Sequence, residues 1–303
     1  MPLPRSKGKS VAPRSREKKL KTVSVIGTGL IGASIGLAAR SAGFSVTGWD
    51  SRAGAVRTAK KRGAIDAIAI SFEDAIAHAA IVILAAPLDV TVRQLAGVFK
   101  SAPEGSLVID VASVKQRVSK RAAVLLARTC NVRFVAGHPI AGSERSGPAA
   151  ADAGLLRGRA FALHAPPQQS RKQAYTAAAR FVRKIGAIPV AVAPRDHDLA
   201  VAALSALPQL TSVALALASS DSGAKRGRRL AGPGYRDATR LAESGFAMWK
   251  PVLDANSKNV LKSIRALGKR VETIESALRH HDWNALRRLF SAAAAARRRV
   301  NPR

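Results

Sequence analysis

The chain contains a single cysteine, Cys130, which excludes a disulfide framework and a cysteine zinc cluster and makes a reducing cytoplasm the best fit. Aromatics form only 4% of its 303 residues, too few for platforms on which bases could stack. No apolar run approaches the length needed to cross a bilayer, and the first residues lack the apolar core of a signal peptide. Acids are scarce, 19 against 50 Lys and Arg, for a formal charge of +31. The excess is widespread, with concentrations at residues 5–21, Lys225–Arg229 and Arg297–Arg299. Such a field attracts polyanions without selectivity and also draws in small dicarboxylates. No nucleic-acid module accompanies it, so we expect a solvated arginine-rich surface, with neither a specific nucleic acid nor a membrane as partner.

What remains is a globular composition, 47% hydrophobic, long enough for two domains. Residues 1–21, basic and rich in Pro and Ser, suit a disordered arm. From Thr22 strands and helices alternate. Strands are predicted at Val23–Ile26, Phe44–Asp50, Ala80–Leu84, Ser106–Asp110, Val132–Val135, Ala160–Leu163 and Ile188–Val192. Helices are predicted at Gly54–Arg62, Val90–Phe99, after Val114 and at Gln173–Ile185. The pattern is that of a doubly wound parallel sheet, an α/β dinucleotide-binding domain over 22–193. Beyond Pro194 it turns helical: Asp196 can cap a long apolar helix to about Ser219, and helices return from Ala242 to Arg298, giving an all-helical domain over 194–303.

The first strand runs into Gly27-Thr28-Gly29-Leu30-Ile31-Gly32, the G-x-G-x-x-G of a strand-to-helix turn that receives a pyrophosphate. Gly27 allows the turn, Gly29 admits the pyrophosphate to the backbone, and Gly32 lets the helix approach the strand. The second strand ends in Asp50, roughly 20 residues on, where a carboxylate accepts from the ribose hydroxyls and favours NAD. Arg52 follows, and its guanidinium could pair with a 2′-phosphate, which leaves NADP open. Ligands of such sheets bind beyond the carboxyl ends of the strands. Polar loops there are Ala85–Asp89 with Pro87, Val111–Lys115 with Ser113, and Ala136–Glu144 with His138.

Ser113-Val-Lys115, Gly137-His-Pro-Ile-Ala-Gly-Ser-Glu144 with Gly147, His197-Asp198, and Gly234-Tyr-Arg-Asp-Ala-Thr-Arg-Leu-Ala242 through Met248-Trp249 together resemble the prephenate and arogenate dehydrogenase family, from Lys21 to about Ile264. The resemblance implies oxidative decarboxylation: a hydroxycyclohexadienyl ring gives hydride to the nicotinamide and loses carbon dioxide from the opposite carbon, without need of a metal. It assigns His138 as the base, Ser113 as its orienter and Arg240 as the clamp on a substrate carboxylate, where a guanidinium pairs bidentately. Trp249 is assigned to the pocket wall; Glu144, Arg236 and Asp237 to an ionic gate. The helical domain is implied to form a homodimer.

One stretch departs from the family. Where relatives read Ser-His-x-Pro-His, this chain has Ser205-Ala-Leu-Pro-Gln209, with Pro208 expected to kink the helix. Gln209 takes the place of a histidine that meets the substrate's side chain, and a neutral amide there tilts the expectation toward arogenate. The missing histidines also admit an amino-substituted prephenate, or a retired dehydrogenase acting as a dinucleotide-binding regulator or nucleic-acid-associated protein. A β-hydroxyacid dehydrogenase would place a lysine on the long helix, and none occurs between Pro194 and Ser222.

Overall fold

The computed structural model describes residues 22–128, 131–142, 145–167, 169–221, 227 and 229–300. The arm at 1–21, Cys130 and Glu144 lie outside them.

Strands β1 (Thr22–Ile26), β2 (Ser45–Trp49), β3 (Ala67–Ile68), β4 (Ile81–Leu84), β5 (Leu107–Asp110), β6 (Arg133–Pro139), β7 (Ala160–His164) and β8 (Ile188–Ala191) form one sheet in the order β3-β2-β1-β4-β5-β6-β7-β8. The helices of this part are α1 (Leu30–Ser41), α2 (Ala53–Lys61), α3 (Phe72–Ala77), α4 (Leu88–Ser101), α5 (Gln116–Leu126) and α6 (Arg171–Lys184). Chain order reverses between β1 and β4, which makes a crevice at the carboxyl ends of those strands. Successive residues of the central strands point into separate cores. Ile81 and Ile83 join Ile35, Phe44, Val56 and Phe181 on one face; Val82 and Leu84 join Leu95, Phe99, Val118 and Phe134 on the other. This double burial explains why the strands are near-continuous Val/Ile/Leu runs.

Three elements differ from the sequence expectation: β7 in its direction, and β3 and α3, which it did not contain. The sheet is not parallel throughout, because β6 and β7 pair antiparallel from Ala136↔His164 to Pro139↔Phe161. Between them the described chain has only a short 3₁₀ turn, Pro148–Ala150, and an antiparallel neighbour needs no crossover helix. The second is β3, an edge strand of two exposed residues, too short to show an alternation.

Register places the site. Trp49, Ile26, Leu84, Asp110 and Ala136 are successive partners across β2, β1, β4, β5 and β6. The residues that follow them, from Asp50 and Gly27 to Gly137, therefore emerge along one edge of the sheet.

The later helices are α7 (Pro194–Val201), a π-helical segment (Ala202–Ala206), α8 (Leu207–Asp221), α9 (Pro233–Thr239), a 3₁₀ turn (Arg240–Glu243), α10 (Phe246–Ala255), α11 (Ser257–Arg279) and α12 (Trp283–Val300). Pro208 has no N–H for the carbonyl of Leu204, and the widened π turn sits where that bond is missing. From Pro194 to Ser220 the helix is continuous over 27 residues and long and apolar enough to cross a membrane, contrary to the sequence reading. Pro208 and Gln209 interrupt the apolar run in the sequence without ending the helix. The helix begins in polar contacts with the sheet unit, since Asp198 accepts from the Lys115 and Gln116 amides.

The chain forms two compact units, one of residues 1–198 with 243–255 and the other of 199–242 with 256–303. The first extends past the expected boundary at Ala193 because of those Asp198 bonds. It regains α10, whose Val252 and Ala255 pack on the second core cluster.

Candidate active site

The glycine-rich loop has the shape a pyrophosphate needs. Gly27 has φ +93°, and a Cβ there would lie 2.7 Å from the Ala85 carbonyl; a Cβ on Gly32 would lie 2.0 Å from the Gly27 oxygen. Gly29, the N-cap of α1, faces open space, and no side chain caps the helix's first N–H groups. Leu30 and Ile31 are half-buried beside it. Thr28 is buried and serves the loop itself: its N–H and hydroxyl donate to Asp50 Oδ2 at 2.8 and 3.3 Å. Asp50 Oδ1 accepts from the Arg52 amide at 3.0 Å and meets Arg52 Nε at 3.4 Å, leaving the guanidinium largely in water. Pro87 is exposed at the N-terminus of α4, on the same sheet edge. These residues fit a nicotinamide dinucleotide, with open space at Gly29 and an anion-ready helix end.

His138 stands on β6 one residue beyond Gly137. Its Nδ1 lies 2.9 Å from Nε2 of His197, and His197 Nδ1 lies 2.8 Å from Asp198 Oδ1. With one proton on each ring, the acceptor-only carboxylate takes the His197 Nδ1–H, and His197 Nε2 then takes the His138 Nδ1–H. The lone pair of His138 is left on Nε2. Burial first, then the charge of Lys115, then His197 hold His138 well below the usual 6.5, so the ring is neutral at pH 7. Burial alone would raise Asp198, but the hydrogen bonds from His197 and from the Lys115 and Gln116 amides outweigh it and keep the carboxyl below its ordinary value.

Beneath His138 the Gly137 peptide is held at both ends. Its N–H donates to Asp110 Oδ1 at 3.1 Å, and its carbonyl accepts from Lys115 Nζ at 2.6 Å. Lys115 also pairs with Asp110, and both are fully buried. Desolvation raises the Asp110 pKa and lowers that of Lys115, each opposing the attraction between them. Gly137 admits no side chain, since a Cβ would lie 2.7 Å from the Asp110 carbonyl oxygen. The His138 ring is thus fixed from below, through the Gly137 carbonyl, by Lys115 and from the side by His197.

The orienting group differs from the sequence expectation. Ser113 makes no hydrogen bond to His138 among the described residues; His197, held by Asp198, occupies Nδ1 instead. Lys115, Asp110, His197 and Asp198 had no assigned roles in the sequence reading. The signal available was the His-Asp pair opening an apolar helix, a polar doublet that burial must justify. Trp249 lies in the first unit, on α10, with its indole N–H enclosed and no acceptor among the described residues. Arg236, Asp237 and Arg240 lie in the second unit; all three are exposed and make no ion pair among the described residues. Gln209, also there, is 3% exposed and donates from Nε2 to the Leu241 carbonyl at 2.8 Å rather than standing open to a ligand.

A glycine-rich loop and a tautomer-fixed histidine at the switch edge of one sheet define a dinucleotide-dependent oxidoreductase. Residues 35–191 match the family model "Prephenate dehydrogenase, nucleotide-binding domain", and 193–292 match "Prephenate dehydrogenase, dimerization domain". The chain belongs to the prephenate dehydrogenase family. It is 33% identical over 277 residues to the prephenate dehydrogenase of Bacillus subtilis (strain 168), covering 90% of this chain and 74% of that protein. The structure of Synechocystis arogenate dehydrogenase matches with a TM-score of 0.77 at 25% identity, over 92% of this chain and 99% of that one. Prephenate dehydrogenase from A. aeolicus, in complex with hydroxyphenyl propionate and NAD+, matches with 0.79 at 24% identity, over 97% and 100%.

Proposed function

We infer that this chain is an NAD-dependent dehydrogenase of tyrosine biosynthesis that oxidatively decarboxylates arogenate and/or prephenate. The observation that carries the reading is the line Asp198–His197–His138, which leaves one unprotonated nitrogen, His138 Nε2, at the sheet edge where the glycine loop opens. When bound there, the nicotinamide supplies the hydride acceptor. His138 Nε2 takes the proton of the ring hydroxyl as the hydride departs from the same carbon. The electrons of the ring–carboxylate bond then flow into the ring, carbon dioxide leaves, and the phenolate regains the proton. The imidazolium formed in between is two hydrogen bonds from the Asp198 carboxylate, which stabilises it. A base so placed contributes roughly 10²- to 10⁴-fold.

Arg240, by its place in the family motif, is assigned to a substrate carboxylate, which we take to be the one on the ring, and its unpaired guanidinium suits that task. Ser113 stays a candidate contact of the reacting hydroxyl, and Trp249, Arg236, Asp237 and Glu144 stay candidates for the pocket wall and gate. With Ala206 and Gln209 at these positions no cationic side chain stands there to repel an ammonium, which favours arogenate over prephenate by charge alone, without contact from the Gln209 amide. Asp50 favours NAD over NADP. The protein is read as a cytoplasmic homodimer formed through the helical unit, where Leu204, Leu215 and Leu217 are exposed. Purified protein is to be assayed with both substrates against both cofactors. Reduced nicotinamide absorbance with arogenate and NAD is expected; no signal in any of the combinations overturns the reading.

A further inference from the structure

Gln209 is closed to a ligand at both ends of its amide. Nε2 donates to the Leu241 carbonyl, and since a carbonyl only accepts, that bond fixes which end faces Leu241. Oε1 at the other end is enclosed and has no donor among the described residues. Leu241 sits in the 3₁₀ turn Arg240–Glu243 that directly continues α9, and α9 packs on α8, which bears Gln209. Arg240 is the first residue of that turn. Its exposed guanidinium has no ion pair among the described residues, so the backbone of the turn is what fixes where this long side chain starts.

We propose that Gln209 is a positioning residue which latches the 240–243 turn to α8 and thereby sets where Arg240 is presented, instead of reading the substrate's side chain. The proposal rests on the assignment of Arg240 to the ring carboxylate. A neutral amide suits the position: it offers a directed donor to a partly buried carbonyl without burying a charge. Arogenate and prephenate bear the same ring carboxylate and differ only in the side chain. A latch on Arg240 therefore affects both alike, whereas a side-chain reader changes their ratio.

The test uses the full-length protein with Gln209→Met, which keeps the volume and removes the donor. Gln209→Leu, which also removes the donor and buries no charge, serves as second variant should the first not fold. KM is expected to rise about tenfold for both substrates, the effect of one lost buried hydrogen bond, with kcat changed less and the KM for NAD unchanged. The ratio of kcat/KM between the substrates should stay within about twofold, and amides 240–243 should exchange hydrogen faster. In an Arg240→Ala background the same change should add less than about twofold, because it acts through the missing side chain. A roughly tenfold change in the substrate ratio, or a full additional loss in the Arg240→Ala background, overturns the latch. Arg240→Ala with unaltered KM overturns the assignment of Arg240 and the latch with it, whereas an impaired Arg240→Ala beside an inert Gln209→Met overturns the latch alone.

Discussion

His197 Nε2 stands 2.9 Å from His138 Nδ1, and this contact decides which nitrogen of the His138 ring is free. The decision depends on Asp198, whose carboxylate can only accept and so holds the proton of His197 on Nδ1. Asp198→Asn keeps the shape but offers an N–H in place of an acceptor, which permits the opposite tautomer along the line. We expect kcat to fall by about 10²- to 10⁴-fold while the KM for NAD stays within about twofold. The residual acid limb of the pH profile should move to lower pH, since the imidazolium loses its counter-charge. An unchanged kcat would show that the tautomer is set by something other than Asp198.

His138→Asn preserves a similar volume and a hydrogen-bonding side chain toward His197 while removing the basic nitrogen. Turnover should drop by roughly 10²- to 10⁴-fold, with the dissociation constant for NAD, read by quenching of protein fluorescence, nearly unchanged. Loss of NAD binding instead would contradict its role as the base.

The lowered pKa of His138 sets the pH dependence. In the free enzyme the acid limb of kcat/KM should fall below pH 6.5, because burial and the Lys115 charge disfavour the imidazolium. Stability carries the same sign: below pH 6.5 the unfolded chain binds a proton that the folded chain refuses, so folding weakens as the pH falls through that window. Above 6.5 the effect vanishes. Urea midpoints of wild type and His138→Asn should diverge at neutral pH only by a constant, with the wild type losing more on acidification.

Lys115 and Asp110 form a pair at 1% and 0% side-chain exposure, so removing one partner strands the other charge. Lys115→Met should cost about 3–5 kcal/mol, read from urea unfolding, and Lys115→Met with Asp110→Asn should recover much of it. In the double variant the acid limb should move upward, since the positive charge that opposes protonation of His138 is gone.

Much of the fold could be read because the central strands are buried on both faces, and β1, β2 and β5 end at or just before a glycine or a carboxylate. The dinucleotide loop was legible for a stronger reason: Gly27, Gly32 and Asp50 act within one strand-turn-helix-strand unit, so spacing alone relates them. His138 was legible by its place after β6. Its true neighbour was not, since His197 lies 59 positions away and only folding brings the two rings together. Lys115 reads as a surface lysine until its burial is known. Nor does hydrophobic pattern encode strand direction, which is why β7 was expected to run parallel. The family resemblance located Gln209 as a substrate contact, but a resemblance carries residue position and not which group the amide meets.

Asp50 ties the loop to the second strand, and on the proposed reading it also governs cofactor choice. Its side chain is 7% exposed, and in the ribose position assigned to it the carboxylate would repel the extra phosphate of NADP. Arg52 could offset that charge, but its Nε is 3.4 Å from Oδ1 and its side chain is 72% exposed, so the pair is worth at most about 1 kcal/mol. NAD should therefore be preferred. Asp50→Ser removes the repulsion and should raise kcat/KM for NADP relative to NAD by about tenfold or more, with some loss for both because Thr28 loses its acceptor. Arg52→Ala should lower what NADP activity exists and leave NAD within about twofold. Equal use of both cofactors by the wild type would show that Arg52, swung from Asp50 onto the 2′-phosphate, outweighs the carboxylate.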